Sequence, residues 1–204
     1  MTRGRVEDAI LIHARPYRES SLLLDFMTRE HGRLSGIGRG SRQRATGVMP
    51  WSRVSFEFAG RTDLLSIRGL ERTGGTMYAP AASLWLMLLA EIILRFVPRG
   101  HADPELYRTC LVLTRADSEE SVMNEISRVI PELAVNYART DERQLRERLM
   151  ALAENTGAFG NTEGLVDLIE KILNSAFPGQ SLRTLQLLRN TTRMQSSGTS
   201  DRMA

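Results

Sequence analysis

The sequence predicts an α+β protein, with a small five-stranded β-barrel at the N-terminus and an all-α helical domain after it. Three observations carry that reading. Apolar residues alternate with a period of two through five short runs before residue 75. Clusters of Gly, Pro, Asp and Asn-like turn formers separate the runs. From residue 81 onward the apolar spacing changes toward 3.6, the helical period.

Residues 6–14 (VEDAILIHA) read as the first strand, with Ile10 and Ile12 on one face, and Arg15-Pro16-Tyr17 breaks it. Residues 20–28 (SSLLLDFMT) make a second strand, in which Leu22, Leu24 and Phe26 alternate against Leu23, Asp25 and Met27. Glu30-His31-Gly32 is a turn, so a hairpin is expected there. Residues 33–39 (RLSGIGR) supply a third strand whose glycines mark a bulge or a close backbone approach. Residues 52–59 alternate through Val54, Phe56 and Phe58, Gly60 to Asp63 form a turn, and residues 64–71 are a fifth strand. Five short strands fit a closed or nearly closed barrel. An OB-fold, whose open face commonly holds single strands, is the natural candidate; an SH3-like barrel is the rival, and strand count does not separate them.

Helices are predicted over 81–97, 103–116, 119–138, 141–156, 163–176 and 180–190. Asp103-Pro104 has the form of an N-cap followed by proline at the first helical position. Ser118 and Asp141 are further caps, and Gly157 with Gly160, then Pro178-Gly179, are breaks. Residues 191–204 lack apolar periodicity and are expected to be disordered. The expected organisation is thus a barrel over 1–78, a helical domain over 79–190 and a tail over 191–204. The run 84–97 (LWLMLLAEIILRFV) is apolar almost all round, but it is shorter than the ~20 residues a membrane crossing needs. A buried core helix ended by Pro98 and Gly100 is expected, and no membrane association.

Charge is unevenly shared. Residues 1–80 hold thirteen arginines and eight acids, a net of +5, against +3 for the whole chain. The bias of Arg over Lys, with Lys171 the one lysine, runs through the whole sequence and reads as composition. The clustering does not. Residues 29–53 (REHGRLSGIGRGSRQRATGVMPWSR) hold six arginines and one acid, Glu30, interleaved with five glycines. Guanidinium forks grip phosphate oxygens, and glycine lets backbone come close, so a polyanion is the expected partner. The bland alternative is a solvated loop. The candidate phosphate contacts are Arg33, Arg39, Arg42, Arg44 and Arg53, joined by Arg15, Arg18 and Arg61; Tyr17 and Trp51 adjoin arginines and are candidates to stack on bases. For Trp51 the competing reading is a ring packed under a loop beside Pro50. In the helical part, Arg95, Arg99 and Arg108 are candidates to receive an acidic, apolar-tipped peptide, with ordinary core packing as the alternative.

Other chemistry finds little footing. His13, His31 and His101 are far apart in sequence and pair locally with no acid and nucleophile. Gly36-Ile37-Gly38-Arg39-Gly40 lacks the full dinucleotide-loop spacing. No catalytic site, metal or cofactor is expected. Cys110, in YRTCLVL, reads as a small buried hydrophobe, and a single cysteine suits a reducing, cytoplasmic setting.

Within this frame, Arg15-Pro16-Tyr17-Arg18-Glu19-Ser20-Ser21, Leu22-Leu23-Leu24-Asp25, Thr28-Arg29-Glu30-His31-Gly32-Arg33 and Arg39-Gly40-Ser41-Arg42 together resemble the opening of the bacterial RecO family of recombination mediators. Ala90 to Arg95 and Pro104 to Tyr107 extend the likeness over roughly residues 5–115. Beyond about residue 116 it fades. The four-cysteine zinc site of many members has no counterpart in a chain with one cysteine, and Asn190 to Met194 only weakly echo the family's C-terminal motif. The resemblance implies an OB-fold barrel followed by a helical domain, and binding to single- and double-stranded DNA. It implies annealing of complementary strands and loading of the RecA recombinase on DNA coated with single-strand-binding protein. The implied partners are RecR and the C-terminal tail of single-strand-binding protein, and the implied location is the cytoplasm, at the nucleoid. No turnover is implied. A non-catalytic protein-interaction adaptor with a diverged helical domain, and an RNA-binding module, are the rival expectations.

Overall fold

The computed structural model describes residues 2–39, 48–60, 64–75, 82–138, 143, 147 and 162–200. Five strands appear, β1 Thr2–Tyr17, β2 Ser21–Thr28, β3 Gly32–Gly38, β4 Ser52–Gly60 and β5 Leu64–Gly74, and the break expected at Arg15-Pro16-Tyr17 is corrected, because those residues keep pairing with β2. They close into a barrel in the order β1-β2-β3-β5-β4. The pair β3–β5 is parallel, Ser35 facing Leu64 through Gly38 facing Ile67, while all other pairs are antiparallel. A parallel closing pair gives an OB-fold and sets the SH3-like alternative aside.

Closure depends on β1. Its N-terminal half pairs with β4 (Thr2 with Gly60, through Leu11 with Ser52), and its C-terminal half pairs with β2 (Ala9 with Thr28, through Tyr17 with Ser21). The register slips between Val6 and Ala9 on one side and between Leu11 and His13 on the other. Such bulges bend a strand and sharpen its twist, which lets one strand serve two neighbours. Inside lie Val6, Ala9, Leu11, Leu24, Phe26, Val54, Phe56, Phe58 and Ile67, and the Phe26 and Phe56 rings stack 4.2 Å apart. Gly36 is needed at the parallel seam, because a Cβ there would lie 2.5 Å from Ile67 Cγ1.

Five helices are seen among the described residues: α1 Ala82–Phe96, α2 Pro104–Leu113, α3 Glu119–Tyr137, α4 Thr162–Ala176 and α5 Arg183–Ser200. The α2 start is built as its sequence suggests, with Leu106 N–H donating to Asp103 Oδ1 at 2.9 Å and Pro104 in the first turn. Ser118 Oγ accepts from Ser121 N–H before α3. The predicted helix 141–156 lies outside the described residues apart from Arg143 and Glu147. The tail expected to be disordered from 191 is a correction: α5 continues to Ser200. Once nucleated, a helix propagates at little cost, and residues 191–200 contain no proline to stop it.

The chain forms two compact units that interleave in sequence, Met1–Pro80 with Val97–Val122, and Ala81–Phe96 with Met123–Ala204. In the first, α2 packs beside β2. In the second, α5 packs against α1 and α4. Leu88, Leu89, Ile92 and Ile93 of α1, Ile169 and Ile172 of α4, and Leu188 of α5 are buried there. The α5 N-terminus is capped from α1: the backbone N–H groups of Arg183 and Thr184 donate to the two Glu91 carboxylate oxygens at 3.0 and 2.9 Å. Burial pushes the Glu91 carboxyl upward, but those two bonds and Arg95 outweigh it and hold the group below its ordinary value.

Candidate nucleic-acid interface

The arginine-rich segment divides into residues that build the barrel and residues that face outward. Thr28, Gly32 and Arg33 form a folded corner. Thr28 Oγ1 donates to Gly32 O at 2.9 Å and accepts from His31 N–H at 3.1 Å. Gly32 has φ +60, and a Cβ there would overlap the backbone carbonyl of His101. Gly100 N–H donates to Arg33 O at 3.0 Å, so the stretch after Val97 covers the part of β3 that β5 does not reach.

Arg33 is therefore interior, 8% exposed, with Nε donating to Val97 O at 2.9 Å. Its nearest counter-charge is Asp25, 3.9 Å away and 5% exposed. Asp25 also accepts from Ser35 Oγ at 2.5 Å. His13 Nδ1 lies 3.6 Å from its other oxygen and, among the described residues, has no hydrogen-bond partner. Desolvation raises the Asp25 carboxyl, but His13, Ser35 and Arg33 outweigh it and keep the group below its ordinary value. Burial and the neighbouring Arg99 lower Arg33, with Asp25 opposing them.

Two more of the predicted DNA contacts are spent internally. Trp51 is 2% exposed, so neither ring face is open to a base, and its backbone N–H donates to Leu11 O. Arg53 faces β1 and grips Asp8 through Nε and Nη2, both at 2.9 Å. Tyr107 of α2 donates its hydroxyl to the same carboxylate at 2.9 Å; burial, then that bond, pushes its phenol up to about 12. The Asp8 cluster thus pins α2 to the barrel wall.

Arg15, Arg18 and Arg39 are exposed and, among the described residues, make no ion pair. Arg18 lies over the Tyr17 ring, 5.4 Å from its centroid. Tyr17 pairs with Ser21 and the next residue, Leu22, pairs with Gly38, so register brings Arg39 to the barrel end that carries Arg15, Tyr17 and Arg18. Arg42, Arg44 and Arg61 lie outside the described residues.

Sequence reasoning missed a second basic surface. An open groove of about 620 Å³ crosses the outer face of β1, β4 and β5, lined by Arg3, Arg5, Arg39, Glu57, Ala59 and Arg68 among others. Register assembles it: Arg3 faces Ala59 and Ala59 faces Ser66, while Arg5 faces Glu57 and Glu57 faces Arg68. The one signal in the sequence was the spacing of Arg3 and Arg5, which puts both on one face of a strand.

The three arginines expected to receive a peptide fall in two different units. Arg99 and Arg108 belong to the first unit, Arg95 to the second. Arg108 pairs with Glu105 at 2.7 Å, and Arg95 donates to Ser181 O at 2.7 Å. In the second unit, Phe96 and Phe177 stack 3.7 Å apart in an open pocket of about 710 Å³ that Arg95, Tyr137 and Pro178 also line. Among the described residues no cluster of His, Cys, Asp or Glu could hold a metal, and no helix is long and apolar enough to cross a membrane. Cys110 is buried, and burial pushes its thiol well up, out of the range of a reactive thiolate.

A closed OB-fold barrel fringed by exposed arginines places the first unit in the OB-fold class. Residues 3–75 match the family model for the Recombination protein O N-terminal domain. The chain is 32% identical over 138 residues to a DNA repair protein RecO from Cupriavidus pinatubonensis, covering 63% of this chain and 47% of that one. It is 30% identical over 151 residues to a DNA repair protein RecO from Burkholderia pseudomallei, covering 70% and 54%. Through this N-terminal domain the chain is similar to the RecO DNA repair proteins, and it spans about half the length of the curated relatives it matches.

Proposed function

We propose that this protein is a non-catalytic recombination mediator that binds single- and double-stranded DNA through its barrel and anneals complementary strands. In this reading it also helps load RecA on DNA coated with single-strand-binding protein, in the cytoplasm at the nucleoid. The observation that supports it is the set of exposed arginines, Arg15, Arg18 and Arg39, which make no ion pair among the described residues and stand around a barrel that matches the RecO N-terminal domain. Gripping phosphate without reading bases needs charge on a surface and no deep groove. RecR and the tail of single-strand-binding protein are the proposed partners. The Phe96–Phe177 pocket with Arg95 at its rim suits an acidic peptide with an apolar end.

A strand-annealing assay with and without single-strand-binding protein tests the proposal. Annealing faster than the spontaneous rate on both substrates, weakening with salt, is the expected result. DNA binding without annealing would point instead to an adaptor. If four to six arginines engage a single strand, the log–log salt slope should be about −3 to −4. A slope near zero would remove phosphate contact as the basis of the reading.

A further inference from the structure

We infer that the groove across the outer face of β1, β4 and β5 is a track for a single-stranded sugar-phosphate backbone, gripped from both sides by Arg3 and Arg5 on β1 and Arg68 on β5. This rests on the DNA-binding reading above and assigns it a surface outside the segment 29–53.

The groove is built by register. Adjacent strands lie about 4.8 Å apart, so the arginines of β1 and β5, with β4 between them, stand on lines about 10 Å apart. Between those lines, on β4, Ala59 presents only a methyl group, beside the short Ser66 on β5. A narrow floor between two rows of guanidinium groups accommodates one extended backbone. Arg39 also lines the groove, and by register it stands at the barrel end that carries Arg15, Tyr17 and Arg18. A strand leaving the groove at Arg39 would therefore meet that cluster next.

The charges are available. Among the described residues, Arg3, Arg39 and Arg68 make no ion pair. Arg5 pairs with Glu7 at 2.7 Å, but both side chains are more than half exposed, and such a pair exchanges readily for phosphate. Among the described lining residues Glu57 is the one acid, set directly between Arg5 and Arg68. It lowers the local positive potential and is a target for a gain of affinity.

The test is fluorescence anisotropy with labelled oligo-dT over a salt series, using the full chain. The variants are Arg3→Ala/Arg5→Ala/Arg68→Ala, the matching Arg→Lys triple, Arg15→Ala/Arg18→Ala and Glu57→Gln, each first shown to melt within a few degrees of wild type. The alanine triple should lower the salt slope by about 2 and weaken binding at least about tenfold at low salt, because three phosphate contacts go. The lysine triple should keep most of the slope, and Glu57→Gln should bind severalfold tighter. An alanine triple with the wild-type slope, beside an Arg15/Arg18 variant that has lost affinity, overturns the groove and leaves the DNA-binding reading standing. Wild type that ignores oligo-dT at every salt concentration sinks both. Displacement of oligo-dT by poly-glutamate at equal charge concentration would show a general polyanion or peptide site and would also overturn the assignment.

Discussion

Arg33→Ala should unfold the barrel more readily and leave DNA affinity nearly unchanged. Arg33 is 8% exposed, donates to Val97 O at 2.9 Å and lies 3.9 Å from Asp25. Truncation removes a charged hydrogen bond worth about 1.5–3 kcal/mol. It also leaves Asp25, 5% exposed, as a buried carboxylate whose remaining contacts are Ser35 and the more distant His13. Breaking a buried ion pair costs about 3–5 kcal/mol when the remaining charge has no other partner. Ser35 offsets part of that, so a net loss near 3 kcal/mol is expected. For a unit of roughly 100 residues each kcal/mol moves the melting temperature by about 4 °C or more, which predicts a drop of at least ~10 °C. Circular dichroism melting gives the stability. A titration with single-stranded DNA well below both transitions gives the affinity, expected to stay within about twofold because the guanidinium faces Val97 rather than solvent. A variant that melts within ~2 °C of wild type but loses DNA affinity tenfold would show that Arg33 contacts phosphate, and the structural role argued for it would be wrong.

Other changes probe the same logic. Gly32→Ala combines a left-handed backbone at φ +60 with a Cβ driven into the His101 carbonyl; a loss of about 2–4 kcal/mol is expected in denaturant unfolding, with Gly69→Ala, φ +57 and open around its Cβ position, as the milder control. Tyr107→Phe should cost about 1 kcal/mol by removing its hydroxyl bond to Asp8, and an unchanged melting temperature would mean that the contact contributes nothing. Asp25 and Glu91 both titrate below their ordinary values of 3.8 and 4.5, so their stabilisation is present above those values and is lost as pH falls through the lower folded ones. Acid unfolding should begin below about pH 4, and Glu91→Gln should be less stable at neutral pH with a shallower acid dependence; parallel curves for the two proteins would count against the capping role.

What was legible in the sequence follows from which forces are local. Alternation through Leu22, Leu24 and Phe26, and through Val54, Phe56 and Phe58, encodes a one-sided strand, and five strands appear at those patterns, although β1 runs on through Arg15-Pro16-Tyr17 because pairing with β2 continues there. The Asp103-Pro104 cap is likewise local chemistry. Register between strands is not local. Nothing adjacent to Arg53 in sequence announces Asp8, yet the two are bonded across the sheet. Arg3, Arg5 and Arg68 lie far apart in the chain and share a face because β1 and β5 flank β4. Covering of an outer face is equally hidden. Asp25 points away from the barrel interior, as the alternation predicts, and is buried all the same beside Arg33, which holds the Val97 carbonyl. At the chain's end the prediction failed for another reason: polar residues after 190 offer no apolar stripe, but α5 is already nucleated by the Glu91 cap and runs on to Ser200.

Part of the RecO-like pattern therefore serves the fold rather than a ligand. Thr28, Gly32 and Arg33, the Thr-x-x-x-Gly-Arg part of the RecO-like pattern, make a corner in which a hydroxyl binds the turn, a glycine admits the His101 backbone and a guanidinium holds the Val97 carbonyl. Each requirement is steric or electrostatic within the fold, and none involves a phosphate. The exposed arginines carry no comparable constraint: Arg3, Arg15, Arg39 and Arg68 touch solvent, and replacing any one costs the barrel little. A barrel of this kind can thus keep its Thr28–Gly32–Arg33 corner while its affinity for a polyanion drifts with a handful of surface charges. The consequence is measurable, since charge-reversal at the surface arginines should move DNA affinity and salt slope with a nearly constant melting temperature, whereas changes in the corner should move the melting temperature with a nearly constant slope. If the two sets of variants failed to separate in this way, the division of labour between corner and surface would not hold.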